Sequence, residues 1–325
     1  MVNKKMKGCM AALLCGAALG AAHAQAQHSY PQRSVTVVVP FTPGTSADVI
    51  SRILGPLLSE KTKVSVVTEN RPGAGGNLGA EIVARSKPDG YTLMLTATAF
   101  GTAPVVNKNT PFDPINDFRP IGLAATSAMA LVVNPQLPAN TIDELIAMAR
   151  KAPGKLNYAS PGTGTAQHLA VELLKQDSGI DMLHVPYKGT AGALTDVVAG
   201  HVQVMVTSLA AAAPFVAGKQ LKMLAILSAD RSEEFPQVST VLEQGHPNLV
   251  VDTWYGYFAP KGTPDDIVNF WNQQVNQALA LPEVRKKLQE QGLTAKPGTP
   301  DVLGRLIQTE LKKWKGVVDK AQIAD

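Results

Sequence analysis

Cysteine is nearly absent from this chain, whose 325 residues contain only Cys9 and Cys15. Both lie in the first 26 residues, and that segment has the features of a secretory signal. Because Cys15 follows two leucines and not a small residue, lipidation at this position is disfavoured. If the segment is removed, the mature protein has no cysteine. That excludes disulfides, thiolate catalysis and cysteine-bound metal, even after export to an oxidising compartment.

The signal prediction rests on three parts. Lys4, Lys5 and Lys7 form a basic start, residues 11–22 an apolar run, and Ala22-His23-Ala24 a small-residue cleavage pattern. Cleavage is expected after Ala24 or Ala26, which predicts a periplasmic protein. A signal anchor is the alternative, but the apolar run is short for a bilayer span.

Long apolar runs and clustered charge are also lacking. After residue 26, no segment offers the roughly 18 uninterrupted apolar residues of a membrane span. The formal net charge of +4 includes three lysines of the signal, which has no acid, so the remainder carries +1. Its basic residues are scattered, which disfavours nucleic acid and anionic membranes as partners. About 300 remaining residues favour two domains over one.

Several catalytic patterns are missing as well. The chain has no G-x-S-x-G elbow and no G-x-x-x-x-G-K-[ST] loop, and His168, His184 and His201 lack zinc-ligand spacing. Glycines 73, 75 and 79 resemble a dinucleotide-binding turn after the strand-like run 64–67, which by itself suggests an oxidoreductase. An exported protein seldom meets nicotinamide cofactors, however. The sequence therefore predicts binding without turnover, and no cofactor.

What is present is an alternation of β-rich and helical segments. Continuous apolar runs indicate strands of a parallel sheet covered on both faces. Strands are predicted at 35–39, 64–67, 93–96, 121–125, 131–134, 156–159, 183–185, 202–207 and 223–227. Helices are predicted at 46–59, from a capping box at Thr141-Ile142-Asp143-Glu144 through 149, and at 165–175, 191–199, 264–281 and 300–320. The extended segments 121–134 and 249–260 are expected to cross between the domains.

Three strand-to-helix loops carry the candidate binding chemistry. They run over 40–48, 160–168 and 184–190, and they combine glycine with hydroxyl residues at helix starts, where free N–H groups attract anions. An ordinary capped turn is the alternative for each loop. His168 could equally pack or bond locally, Tyr187 could form part of the core, and Lys188 could be a solvated surface charge.

Together these segments resemble a known family. The motifs Pro40-Phe-Thr-Pro-Gly-Thr-Ser-Ala-Asp48, Glu69-Asn-Arg-Pro-Gly-Ala-Gly-Gly76, Pro88-Asp-Gly-Tyr-Thr-Leu93, Tyr158-Ala-Ser-Pro-Gly-Thr-Gly-Thr165 and His184-Val-Pro-Tyr-Lys-Gly189 occur in this order. With Trp254, Gly256 and Gly262-Thr-Pro264, they are similar to the Bug-type periplasmic receptors of tripartite tricarboxylate transporters. Several unrelated motifs keep their order over nearly the whole chain after residue 26.

The resemblance implies a type II periplasmic binding protein fold: two doubly wound α/β domains joined by two crossover segments. Domain 1 is expected over 27–127 plus 251–325 and domain 2 over 128–250. A small organic carboxylate would bind in the cleft, and a membrane permease would receive it from a monomeric receptor. A ligand sensor or an unrecognised enzyme is the alternative. The expected ligand-binding residues are Phe41, Gly44, Thr45, Ser46, Thr96, Thr98, Ser160, Thr163, Gly164, Thr165, His168, Tyr187 and Lys188.

This chain departs from the family pattern at three places. Thr45 stands where the first loop usually has a second glycine. The segment 95–102 lacks the Asn, Ser or His that often occurs there, so Thr96, Thr98 and Phe100 are expected to tune selectivity. After the strand ending at Ser208, an apolar run replaces an acidic or aromatic residue. A ligand ammonium would lack a carboxylate partner there, which favours dicarboxylates or aromatic acids over acidic amino acids.

Overall fold

The computed structural model describes residues 30–323, so the predicted signal segment with both cysteines lies outside the described residues. Ten strands and ten helices alternate in this range. The strands are β1 (Val35–Val39), β2 (Val66–Asn70), β3 (Thr92–Ala97), β4 (Phe118–Val133), β5 (Asn157–Ser160), β6 (Leu183–Pro186), β7 (Val204–Ser208), β8 (Lys222–Ile226), β9 (Asp252–Pro260) and β10 (Thr294–Ala295). Among the described helices, none has the length and apolarity needed to cross a membrane.

The helices follow the predicted pattern with additions. They are α1 (Ser46–Thr62), α2 (Asn77–Ala84), α3 (Thr98–Val106), α4 (Ile142–Lys151), α5 (Ala166–Ser178), α6 (Thr190–Ala199), α7 (Leu209–Ala217), α8 (Asp265–Leu279), α9 (Pro282–Gln289) and α10 (Pro300–Ala321). Helices α2, α3, α7 and α9 were not predicted. Pro104 and Pro214 lie inside α3 and α7, where proline normally argues against a helix.

The sheet has two halves that share β4. In the first half the order is β2-β1-β3-β9-β4, with β1 parallel to β2 and β3. In the second half β4 pairs with β7 and β8, and β5 lies parallel to both β6 and β7. Each half thus repeats the same arrangement of three parallel strands, and the carboxyl ends of β1 and β5 carry the first two candidate loops.

Strand β4 was predicted as two strands, 121–125 and 131–134, but it is one continuous strand of 16 residues. Its first part pairs with β9, up to Ala128 opposite Asp252, and from Met129 it pairs with β7. The small residues between the two apolar runs interrupt the hydrophobic pattern but not the ladder, because the strand changes partners there. The exact division into domains at 127/128 and 250/251 stays a prediction.

Local capping chemistry agrees with the sequence at α4. The side chain of Thr141 accepts the N–H of Glu144 at 3.2 Å, as the capping box predicts. The Glu144 carboxylate reaches back to the N–H of Asn140 at 2.6 Å, one residue earlier than the ideal motif. The first N–H of α4, that of Ile142, donates instead to the distant Gln244 Oε1 at 3.0 Å.

The C-terminal helix α10 belongs to both hydrophobic cores. Near its start, Leu303 and Ile307 pack with Met94, Phe100 and Phe258 of the first half-sheet and its helices. Further along, Trp314, Val317 and Val318 pack in the core of the second half, which includes Leu131, Tyr158 and Leu174. A single helix thus buries one end in each core, and it holds the two halves together beside the shared strand.

Candidate functional site

The candidate loops lie at the carboxyl ends of the parallel strands in both halves of the sheet. The loop after β1 leads into α1, and the loop after β5 leads into α5. Glycine 164 of the second loop lies against Val106 at the end of α3, so close that a Cβ at 164 would be 2.5 Å from Val106 Cγ1. The second half's loop therefore contacts an element of the first half.

The first loop places its predicted residues at the start of α1. Gly44 is exposed with φ of +85°, a left-handed conformation that favours glycine. Its N–H donates to Asp48 Oδ2 at 2.9 Å, and the Thr45 hydroxyl donates to the Thr42 carbonyl at 3.0 Å. The Ser46 hydroxyl bonds the phenol of Tyr255, whose pKa burial raises. These bonds shape the loop and leave the N–H groups of the first helical turn without a side-chain cap.

A buried carboxylate that the sequence analysis did not single out braces this loop. Asp48 accepts bonds from Arg52 Nε at 3.0 Å and from Asn70 Nδ2 at 3.0 Å. Burial raises the pKa of Asp48, but the bonds from Arg52, Gly44 and Asn70 outweigh it and lower the pKa below its ordinary value. Asn70 also donates to the Phe41 carbonyl at 3.1 Å. In the sequence, the asparagine of the Glu69-Asn-Arg-Pro motif was the residue from which this contact with Asp48 could have been predicted.

The glycine cluster after β2 supports the first loop from behind. A Cβ at Gly76 would lie 3.1 Å from the Phe41 ring, and a Cβ at Gly79 would lie 2.7 Å from both Pro40 Cβ and the carbonyl oxygen of Arg71. Only glycine allows this close approach of α2 to the loop. Of the three glycines whose spacing resembles a dinucleotide-binding turn, packing against Pro40 accounts for Gly79, whereas Gly73 and Gly75 have positive φ of +147° and +68°.

The second loop is held by bonds within itself. Ser160 is fully buried, and its hydroxyl contacts the carbonyl and the N–H of Gly162 at 3.1 and 3.2 Å. The Thr165 hydroxyl donates to the Gly162 carbonyl at 2.8 Å and accepts the N–H of His168 at 3.3 Å. The predicted hydroxyls of Ser160 and Thr165 thus have intramolecular partners, whereas Thr163 is exposed.

Two sequence-distant histidines lie behind this loop. His184 Nε2 is 2.7 Å from Ser160 Oγ, and His168 Nδ1 accepts the N–H of Gly164 at 3.0 Å. The sequence analysis could not link any serine to a histidine, because the pairing of β5 with β6 creates the contact. Ser160 has no exposed surface, so it is inaccessible as a nucleophile.

The remaining predicted residues fall into two groups. In the third loop the Tyr187 hydroxyl donates to Asp196 Oδ2 at 2.5 Å, while Lys188 is exposed. Burial, together with the bond to Asp196, raises the pKa of Tyr187 to about 12. On the first half-sheet, the buried Thr98 accepts the backbone N–H of Trp254 at 3.0 Å. The buried Thr96 hydroxyl has no hydrogen-bond partner among residues 30–323.

Helix starts divide into capped and uncapped ones. Thr165 and Ser208 cap α5 and α7 with their side chains. Within the described chain, α2, α8, α9 and α10 have no side-chain cap, and neither do α1, α3 and α6, which are preceded by Thr45, Ala97 and Gly189. The starts of α1, α3 and α6 contain or closely follow residues of the predicted site. An uncapped start presents free N–H groups and the positive end of the helix dipole. These three starts follow β1, β3 and β6, where an anion would meet neutral donors.

We expect Thr165→Val to lower the free energy of unfolding by about 1 kcal/mol, because the cap of α5 is lost. Chemical denaturation checks this, with Thr163→Val as the matched control on the same loop. Since Thr163 is exposed, its variant should change stability by less than about 0.5 kcal/mol. Equal effects of the two substitutions would show that the Thr165 cap contributes little.

Comparison with known proteins decides the family. The profile of the tripartite tricarboxylate transporter family receptor matches residues 50–323. A relative from Pseudomonas sp. (strain P51), the UPF0065 protein in the tcbD-tcbE intergenic region, is 38% identical over 296 residues, which cover 91% of this chain and 88% of that protein. The chain belongs to the tripartite tricarboxylate transporter receptor family. The resemblance predicted from the motifs is thereby confirmed.

Solved structures of similar proteins agree with this assignment. Rpa4515 of R. palustris with adipate is 34% identical, with a TM-score of 0.76, covering 91% of this chain and 99% of that chain. MatC (Rpa3494) from Rhodopseudomonas palustris with bound malate is 32% identical, with a TM-score of 0.72 over 89% and 100% of the two chains. The predicted fold class, that of a periplasmic binding protein, is thereby confirmed. Membership of the family makes the chain a solute-binding receptor.

Proposed function

We propose that this receptor captures a small organic carboxylate in the periplasm, in a cleft between the two halves of the sheet, for uptake by a tripartite tricarboxylate transporter. The observation that carries this proposal is the set of uncapped helix starts at α1, α3 and α6. Each offers several N–H donors at the carboxyl end of a parallel strand, where a carboxylate is stabilised without a buried lysine or arginine.

A dicarboxylate or an aromatic acid is the favoured ligand class. The related receptors with adipate and malate support an acid with two carboxylates. The helix that follows β7, α7, has the apolar sequence Leu209-Ala-Ala-Ala-Ala-Pro-Phe-Val-Ala217. A ligand ammonium would find no carboxylate there, so acidic amino acids should bind less well.

The connections between the halves suggest how ligand binding changes the conformation of the receptor. We take residues 121–134 and 249–260 as the two crossing segments, and the ligand draws the lobes 27–127 plus 251–325 and 128–250 together by bending them. The ligand shifts the equilibrium between the open and closed receptor only by the difference between its binding free energies for the two forms. The mature monomer, cleaved after Ala24 or Ala26, would present the closed form to a membrane permease.

Ligand binding is tested on protein purified without denaturation. Native mass spectrometry should detect a retained acid, and thermal unfolding should be shifted by adipate, malate or benzoate more than by aspartate or glucose. At a ligand concentration of 100 times Kd, the expected stabilisation is about 2.7 kcal/mol. Chemical conversion of the acid would instead establish an enzyme, and failure of every acid to stabilise the protein would contradict carboxylate capture.

A matched pair of glycine variants tests the place of binding. Gly44 and Gly245 have φ of +85° and +84°, and neither has an atom within 4 Å of an added Cβ. Alanine at either position should therefore cost about 1–2 kcal/mol of stability. Only Gly44→Ala should also weaken acid binding measured by calorimetry, because Gly245 lies beside the start of α4, where its neighbour His246 contacts Asp143 at 3.1 Å. Equal affinities of the two variants would remove the first loop from the site.

A further inference from the structure

The two histidines behind the second loop form a stacked pair. The rings of His168 on α5 and His184 on β6 have centroids 3.9 Å apart and planes within 13° of each other. The Tyr158 ring of β5 stacks on His184 at 4.9 Å and 18°. His168 is only 3% exposed. The rings are therefore fixed in place by packing, and each presents one nitrogen to the glycine loop.

The hydrogen bonds of the loop assign the proton on each ring. The N–H of Gly164 points at His168 Nδ1, which must therefore carry a lone pair, so the proton of the neutral ring is on Nε2. Ser160 Oγ accepts the N–H of Gly162 and donates to the Gly162 carbonyl. With the Ser160 proton on the Gly162 carbonyl, His184 Nε2 is the donor in the remaining contact at 2.7 Å, and the opposite tautomer would reverse these roles. We assign the proton of each neutral ring to Nε2 on this basis.

Burial keeps the rings neutral, and nearby charged groups modify its effect. Glu172 and Lys175, both on α5, are the charged groups that act on them. Glu172 is bonded to the Tyr158 hydroxyl at 2.5 Å and to Lys175 Nζ at 2.7 Å. Burial lowers the pKa of His168 to about 4, with His184 and Lys175 adding to the effect and Glu172 opposing it. Burial likewise lowers the pKa of His184.

We propose that His168 and His184 are positioning residues that hold the loop 160–165 in its ligand-binding form, each through one hydrogen bond between its neutral ring and the loop. His168 fixes the N–H of Gly164, and His184 fixes the hydroxyl of Ser160. Gly164 in turn lies against Val106 of the first half, so its position also sets how the two halves meet. The proposal rests on the proposed function only in taking this loop to hold the acid.

Two substitutions of His168 separate positioning from packing. In His168→Asn the amide oxygen can accept the Gly164 N–H in place of Nδ1, while His168→Phe keeps the stacked ring and removes the acceptor. With adipate as the probe, calorimetry at pH 7.5 should show at least a tenfold loss of affinity for the phenylalanine variant. The asparagine variant should lose less than threefold. A purely structural ring would give the reverse order, since phenylalanine preserves the stack better.

The pH profile adds an independent measure. At pH 4, near the pKa of His168, half of the rings would be protonated, so wild-type affinity should fall about twofold relative to His168→Asn. Protonation of adipate itself affects both proteins equally and cancels in this ratio. An unchanged ratio between pH 7.5 and 4 would contradict the role of the neutral ring.

The decisive readouts do not need a ligand. Nitrogen-15 NMR of the unliganded protein should show both rings neutral with the proton on Nε2, and hydrogen exchange of residues 162–165 should quicken at least tenfold in His168→Phe but not in His168→Asn. A proton on Nδ1 of His168, or equal exchange in both variants, overturns the proposal. If these results hold but no acid binds, the proposed function fails and the positioning role stands.

Discussion

Replacing Trp314 with alanine is expected to lower the free energy of unfolding by about 3–5 kcal/mol, the range for truncation of a large buried aromatic residue. Trp314 has no exposed surface and packs in the core of the second half-sheet. Its indole N–H also donates to Glu310 Oε2 at 2.5 Å. The substitution would leave both a cavity and a partly buried carboxylate without this donor, so the two effects add.

Urea denaturation measures this loss, with two further variants as references. Trp314→Phe retains most of the packing and removes the N–H, so its loss should be clearly smaller than that of the alanine variant. Gln308→Ala, at an exposed position of the same helix, should change stability by less than about 0.5 kcal/mol. If Trp314→Ala lowers the free energy of unfolding by less than about 1 kcal/mol, the packing of Trp314 in the second core contributes little to stability.

Replacing Asp252 with asparagine is expected to stabilise the protein at neutral pH. Oδ1 of Asp252 is buried and has no hydrogen-bond partner in the part of the chain that the structure describes. Burial raises its pKa to about 6, Asp230 and Glu310 contribute in the same direction, and Lys296 and Lys313 oppose them. Above pH 6 the folded protein therefore holds a carboxylate that would be more stable in water.

The sign of the pH dependence follows from the raised pKa. Below about pH 3.8, the ordinary value for this group, Asp252 is protonated in both states. As the pH rises from 3.8 to about 6, the unfolded state ionises first, and the contribution of Asp252 to stability falls by up to about 3 kcal/mol and then stays constant. Asp252→Asn should recover about 1–3 kcal/mol at pH 7.5 and little at pH 4.

Denaturation at the two pH values tests the difference, with Glu60→Gln as an exposed charge-removal control. The control should change stability by a few tenths of a kcal/mol at most. His168 works in the opposite direction, because its lowered pKa destabilises the folded protein as the pH falls from about 6.5 to 4. Destabilisation by Asp252→Asn at pH 7.5 would show that the carboxylate has a favourable partner.

Much of the fold could be predicted from local pattern. The apolar runs at Val35–Val39 and Val204–Ser208 fall on observed strands, with bounds shifted by no more than two residues. Thr141 and Thr165 cap α4 and α5 where the sequence places hydroxyls before helical runs. Caps and periodicity depend on residues at most four apart, so the sequence alone specifies them.

Helices that contradict local preference were missed. α3 and α7 contain proline, yet other residues of these helices pack in the cores. Phe100 of α3 packs in the first half, and Leu209 of α7 packs in the second. Tertiary burial outweighs the unfavourable propensity of an internal proline there. The continuity of β4 was missed for a similar reason, since its ladder partners come from distant segments.

The sequence by itself determined the family, because the motifs keep their order along the chain, and its choice of ligand-binding loops stays a prediction. Only the tertiary structure decided what each side chain does. It showed Gly79 packed against Pro40, the hydroxyl of Ser160 facing His184, and α10 buried in two cores. The physical reason is that hydrogen-bond partners and close contacts are set by strand register and helix packing across the sheet, whereas a sequence pattern reports only neighbours along the chain.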